Sequence, residues 1–125
     1  MLSLGNILIT GASKGIGFNI FKTLLNHSEN LYLSYNSNDN DLRSFINDLE
    51  PSKKAKCKVF HLDQSCKNSI DNFSSSLAGI ELDGVVLNAG INNPTDFDKV
   101  EVEDWDEIFD TNLRGPFFLI QSLIP

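Results

Sequence analysis

A chain of 125 residues, 41% of them hydrophobic and 22% charged, carries enough apolar material to bury the core of one modest domain. Its formal net charge of −7 repels nucleic acid and anionic membrane surfaces, so neither is expected as a partner, and any bound anion has to be held locally. Cys57 and Cys66 lack metal-ligand spacing and are too few for a disulfide framework, which suits a reducing cytoplasm, and no metal is expected.

Met1 to Asn6 has no basic signal region, and no segment is apolar enough to span a bilayer, so the expected location is cytoplasmic. Ile7 to Ile9 is the first predicted strand. It runs into Thr10 to Gly17, TGASKGIG, where a strand turns into a helix. Gly11 and Gly15 let backbone approach a ligand without a Cβ in the way, and Gly17 lets the helix pack closely on the sheet. The first amides of that helix and the positive end of its dipole suit an anion such as a pyrophosphate. A phosphate loop of the nucleotide-hydrolase kind is excluded, because Lys14 precedes Gly15 and Ile16 follows it. A glycine-rich turn without a ligand is the alternative.

The helix opened here carries Ile16, Ile20 and Leu24 beside Phe21 and Leu25 on one broad apolar face and is expected to end near Asn26 to Asn30. Leu31 to Tyr35 reads as the second strand, and Asn36 to Asp41 as a polar turn. Leu42, Phe45, Ile46 and Leu49 have the spacing of a second helix, which Pro51 is expected to stop. A third strand covers about Lys56 to Leu62. Ile70, Phe73 and Leu77 mark a third helix, capped near Ser65 and ending at Gly79. Val85 to Leu87 suits a central strand covered on both faces, and it stops at Asn88-Ala89-Gly90. The last element starts near Glu101 to Asp104, carries Trp105, Ile108, Phe109, Leu113 and Phe117 to Ile120, and is kinked at Gly115-Pro116. His27 and His61 are far apart without a third ligand type, and the acids of Glu101 to Glu107 read as a solvated helix start.

Strands alternating with helices over short connections imply right-handed crossovers and a parallel sheet. The spacing Thr-Gly-x-x-x-Gly-x-Gly at Thr10 to Gly17 resembles the glycine turn of the short-chain dehydrogenase/reductase family. Asn88-Ala89-Gly90 and Asn112, within Asp110 to Gly115, match further motifs of that family at similar distances. The resemblance implies an α/β fold: a Rossmann-type doubly wound parallel sheet, incomplete at about four strands, in the order 3-2-1-4. Residues 1–125 would be the NADP(H)-binding amino-terminal part of a single Rossmann-fold domain. The apolar fourth strand would then lie at an edge, where it expects a neighbour.

By the same resemblance, Gly11, Ser13, Lys14, Gly15, Ile16 and Gly17 bind the phosphates and the adenosine side. Asp63, followed by Gln64, receives the adenine amino group, and Asn88, Ala89 and Gly90 line the ribose side. Asn112 would be the only catalytic residue present, its main chain helping to hold a water. Cofactor choice follows from charge: an NAD-preferring enzyme ends its second strand with an acid for the ribose 2′-hydroxyl, and that position is Tyr35, with Asn36 and Ser37 behind it. Lys14 is placed to pair with a 2′-phosphate, so NADP(H) is favoured over NAD(H), although Asp39 lies close by.

The family's proton donor is a Tyr with a Lys four residues later, helped by an upstream Ser. Tyr32 and Tyr35 are followed at that distance by Asn36 and Asp39. The match therefore covers about the first half of a typical member, and this chain alone is expected to be inactive. The complete protein would transfer hydride reversibly between the nicotinamide and a small-molecule or acyl-thioester carbonyl, in the style of the 3-oxoacyl-acyl-carrier-protein reductases. It would act as a homo-oligomer, tetramer or dimer. A naturally truncated, non-catalytic dinucleotide-binding or interaction module is the other reading.

Overall fold

Three short apolar runs and one alternating run become the strands of one sheet. In the computed structural model, which describes residues 2–125, β1 (Asn6–Ile9), β2 (Asn30–Tyr35), β3 (Cys57–His61) and β4 (Gly84–Val86) lie in the order β3-β2-β1-β4, all parallel. Ile7 is in register with Leu31 on one side and Gly84 on the other, and Leu31 with Cys57. The sheet order is the one the sequence predicts.

The chain divides into two compact units. The first holds residues up to Leu62 together with Gly79–Asn88, and the second holds Asp63–Ala78 with Ala89–Pro125. In the first unit α1 (Gly15–Leu24), α2 (Asn40–Asn47) and the short α3 (Pro51–Lys54) connect the strands. Ile7, Ile9, Leu31 and Leu33 pack with Phe21, Leu25, Leu42 and Ile46 into a buried cluster. Phe45 meets Phe18 and Phe21 edge to face, with centroids 5.4 and 5.7 Å away, an arrangement that aromatic quadrupoles favour. Leu8 and Tyr32, which alternate with the cluster residues along their strands, are buried as well, as a parallel sheet requires of both faces.

Several local expectations are corrected. Ile16 is 75% exposed rather than part of the packed face: the buried ridge of α1 runs through Gly17 and Phe21 to Leu25, because only a residue without a Cβ fits where the helix starts. The helix also closes at Leu24, earlier than expected, and Lys56 Nζ donates to the carbonyls of Leu25 and Ser28 just beyond it. Pro51 does not stop α2, which has already ended at Asn47; it opens α3, where a missing N–H costs nothing. β4 is half-buried, not covered on both faces, because it is the edge of the sheet.

In the second unit, α4 (Lys67–Ser76) buries Ile70 and Phe73 and packs beside α6 (Gly115–Leu123), with Ser74 Oγ 2.6 Å from Ser122 Oγ. The N-cap of α4 is Cys66, next to Ser65 where the cap is expected, and Gly79 takes a left-handed φ of +80° just past its end. α5 (Val102–Phe109) begins with Asp104 accepting the Glu101 N–H. A π-helical turn, Asp110–Arg114, joins α5 to α6, a change of helical register directly before Gly115-Pro116. Among the described residues no helix is long and apolar enough to cross a membrane, and no group of three or more His, Cys, Asp or Glu is placed to hold a metal ion.

Candidate functional site

The crossover from β1 to α1 is built from backbone. Thr10 is fully buried and donates its N–H to Val86 O at 3.0 Å, and its Oγ1 accepts the Asn88 N–H at 3.0 Å. Gly11, at a φ of +63°, turns the chain upward, and its N–H donates to Ser34 Oγ at 3.3 Å. Ala12 N–H donates to Ser34 O at 2.8 Å. The turn is thus pinned to β2 on one side and to the end of β4 on the other.

Beneath it, Asn88 Nδ2 donates to the carbonyls of Thr10 and Gly11, both at 3.1 Å. Both carbonyls are thereby engaged by the Asn88 amide. Gly15 has a φ of +59°, and a Cβ there would meet no atom within 4 Å, so the space over the turn is open. Lys14 is the N-cap of α1 and contributes no side-chain cap, and no acid lies in the first turn. The first amides of a helix have no carbonyl behind them within it, and here neither a cap nor a carboxylate offsets the dipole. Lys14, Gly15 and Ile16 are exposed and Ser13 is half-buried. Such an arrangement suits an anion of phosphate size.

Tyr35 ends β2 half-buried with its ring edge-on to His61 at 5.6 Å, and Asn36 and Ser37 are exposed behind it. The nearby acid, Asp39, is paired with Arg43 one turn on, and the hydrogen bond to Asp39 holds the Arg43 guanidinium above its ordinary pKa. Asp39 is therefore not an unopposed negative charge. Arg43 and Ser34 are the two residues of this region that reading the sequence missed. The Asp39/Arg43 spacing of four was the available signal for one, and nothing local marks the other.

The remaining predicted residues belong to the second unit. Asp63 Oδ1 accepts from Ser65 N–H at 2.9 Å and Ser65 Oγ at 2.7 Å, and its own N–H goes to Ser69 Oγ, so this carboxylate also shapes the turn into α4. Gln64 is buried and donates from Nε2 to Ala89 O. Asn112 holds the main chain of Ile91 at both ends, Oδ1 accepting and Nδ2 donating at 2.8 Å. Gly90 packs close beside it: a Cβ there would lie 3.2 Å from Asn112 Oδ1, a tight contact.

A parallel 3-2-1-4 sheet with a glycine turn leading into an uncapped first helix defines a Rossmann-type dinucleotide fold. The chain belongs to the short-chain dehydrogenase family, whose model matches residues 5–125. It is 32% identical over 121 residues to an oxidoreductase of Bacillus subtilis, YmfI, covering 94% of this chain and 48% of that protein. It is also 32% identical over 123 residues to the 3-oxoacyl-acyl-carrier-protein reductase of Rickettsia bellii, covering 98% and 48%. To the acetoacetyl-CoA reductase of Paracoccus denitrificans it is 34% identical over 110 residues, covering 88% and 44%. The chain spans about half the length of the curated relatives it matches. Among solved structures, an NADPH-bound carbonyl reductase from chicken fatty liver shares the fold with a TM-score of 0.86 at 24% identity, over 98% of this chain and 48% of that one. A short-chain dehydrogenase of Burkholderia cenocepacia in complex with NADP follows at 0.84 and 23%, over 98% and 50%.

Proposed function

We propose that this chain is the dinucleotide-binding part of an NADP(H)-dependent oxidoreductase that interconverts a carbonyl and a secondary alcohol, with a 3-oxoacyl thioester as the favoured substrate class. The observation that carries this reading is the Gly11 to Gly17 turn, open above Gly15 and held below by Asn88. Reduction of acyl thioesters is favoured by the printed activities of the Rickettsia and Paracoccus relatives. The NADPH of the chicken neighbour and the NADP of the Burkholderia one support the cofactor.

In this reading the pyrophosphate lies on the amides of the turn, with Gly11, Ser13, Gly15, Ile16 and Gly17 around it. Lys14 pairs with the 2′-phosphate near Tyr35, Asn36 and Ser37, where no carboxylate repels it. Asp63 takes the adenine amino group through Oδ2, since Oδ1 is occupied by Ser65. Asn88, Ala89 and Gly90 serve the ribose side, and Asn112 is the catalytic residue of this part. The bound nicotinamide supplies hydride. The chain's tyrosines lack a lysine four residues on, so the proton donor is not among its residues and this chain alone gives no carbonyl turnover. Residues 1–125 form part of one Rossmann-type domain of a cytoplasmic homo-oligomer, and the exposed Trp105, Phe109, Leu113 and Phe117 support self-association.

NADPH fluorescence titration tests the reading. The wild-type chain is expected to bind, and Gly15→Val is expected to abolish binding, because its side chain fills the open space over the turn and its backbone is strained at a φ of +59°; circular dichroism checks that the variant is folded. Undiminished binding by a folded Gly15→Val variant would overturn it.

A further inference from the structure

Thr111 stands where a change of helix register leaves its carbonyl without a backbone donor. In an α-helix that donor would be the Gly115 N–H, but this amide donates to Asp110 O and closes the π-helical turn. In the π register the donor would be residue 116, and Pro116 has no N–H. The carbonyl is met from outside the helix. Gln64 Nε2 donates to Thr111 O at 3.1 Å and to Ala89 O at 3.2 Å.

Further features bind Gln64 to this task. It is 4% exposed, so water is not at hand to replace it and both carbonyls would lose a buried partner. Its orientation is decided by the contact itself, since a flipped amide would aim Oε1 at two carbonyl oxygens. Oε1 is buried with no partner, a cost that the two donated bonds must offset. A Cβ on Gly115 would lie 2.1 Å from the main-chain oxygen of Gln64, so the π turn is pressed against this segment with no room for a side chain between. The next residue after Thr111 is Asn112, whose side chain grips Ile91, two residues after Ala89.

We infer that Gln64 is a positioning residue: its side-chain amide stands in for the backbone donor that Pro116 lacks, and by tying Thr111 to Ala89 it sets Asn112 against Ile91. Calling Asn112 the functional group so placed rests on the proposed function. The Gln64 contact does not.

The test follows the Ile91 amide by NMR-detected hydrogen exchange in the full chain, comparing wild type, Gln64→Leu, Pro116→Ala and the double variant. Gln64→Leu is expected to speed Ile91 exchange about tenfold relative to the amides of β1, the loss of one buried hydrogen bond. Pro116→Ala restores an N–H for Thr111 O, and in that background the same substitution is expected to cost no more than about twofold. An unchanged Ile91 rate in Gln64→Leu, an acceleration shared equally by β1, or the full tenfold loss in the Pro116→Ala background would each overturn the inference. If Gln64→Leu does not fold, recovery of folding in the double variant supports it and failure to recover overturns it. NADPH titration of the wild-type chain reads the proposed function separately, so absence of binding there leaves the exchange result standing.

Discussion

Gly17 and Asn88 meet under the first crossover: a Cβ on Gly17 would lie 2.5 Å from Asn88 Nδ2 and 2.2 Å from Gly11 O. The end of β4 and the start of α1 are therefore one unit of packing, and the missing side chain of Gly17 is what lets the Asn88 amide reach the turn.

Asn88→Ala is expected to leave the carbonyls of Thr10 and Gly11 without their donor and to lower stability by about 1–3 kcal/mol. Thermal melts followed by circular dichroism should fall by several degrees. Gly17→Ala should be worse, because the clash is with backbone that cannot step aside. An unshifted melt for either variant would remove the crossover from the structural argument.

Lys14→Ala should weaken NADPH about tenfold, the loss of one charge-assisted contact, and leave NADH almost unchanged. Asp39→Asn should change NADPH affinity little, because the acid it removes is already paired with Arg43. Isothermal titration with both cofactors reads all four cases. Equal losses for NADPH and NADH in Lys14→Ala would show that the lysine serves the pyrophosphate and not the 2′-phosphate.

The two thiols should differ in reactivity. Burial pushes the Cys57 thiol up, against the smaller opposing pull of Lys58 and Lys56, and its Sγ donates toward Lys53 O at 3.5 Å, whereas Cys66 is exposed. A small alkylating reagent near neutral pH should label Cys66 first, with mass spectrometry locating the adduct. The raised pKa also has a sign for stability: the folded chain holds the Cys57 proton more tightly than the unfolded one, so this contribution is intact below the thiol's ordinary pKa of 9.0 and declines as pH rises above it. Cys57→Ser should flatten that decline in urea unfolding measured across alkaline pH.

At the opposite end of the strands a polar chain crosses the sheet. Lys58 Nζ donates to Asn30 Oδ1, Asn30 Nδ2 to Asn6 Oδ1, Asn6 Nδ2 to Glu81 O, and Asn6 N–H to Asp83 Oδ2. Asn6→Ala should break the two links made by its side chain and cost roughly 1–2 kcal/mol, read as a lower urea midpoint with an unchanged slope. No shift would mean that water replaces the chain of amides without loss.

Much of this protein was legible in its residues because the signals are local. Short apolar runs and period-3.6 apolar patterns placed the strands and helices, and the glycine spacing of Thr10 to Gly17 named the family and with it the order of the sheet. Local pattern also misled where neighbours decide: Ile16 belongs to the apolar period of α1 yet stands exposed, because closeness to Gly11 reserves the buried place for Gly17. Asp63 and Gln64 were marked by their position after β3, but their hydrogen bonds were not foreseeable. The sequence by itself determined the elements, the turn and the absence of an acid at Tyr35, all of which depend on residues near one another in the chain. Only the tertiary structure decided that Asn88 holds the turn from below, that Arg43 pairs with Asp39, and that Gln64 donates to the Thr111 carbonyl, because such partners are found in whichever segment folding brings close.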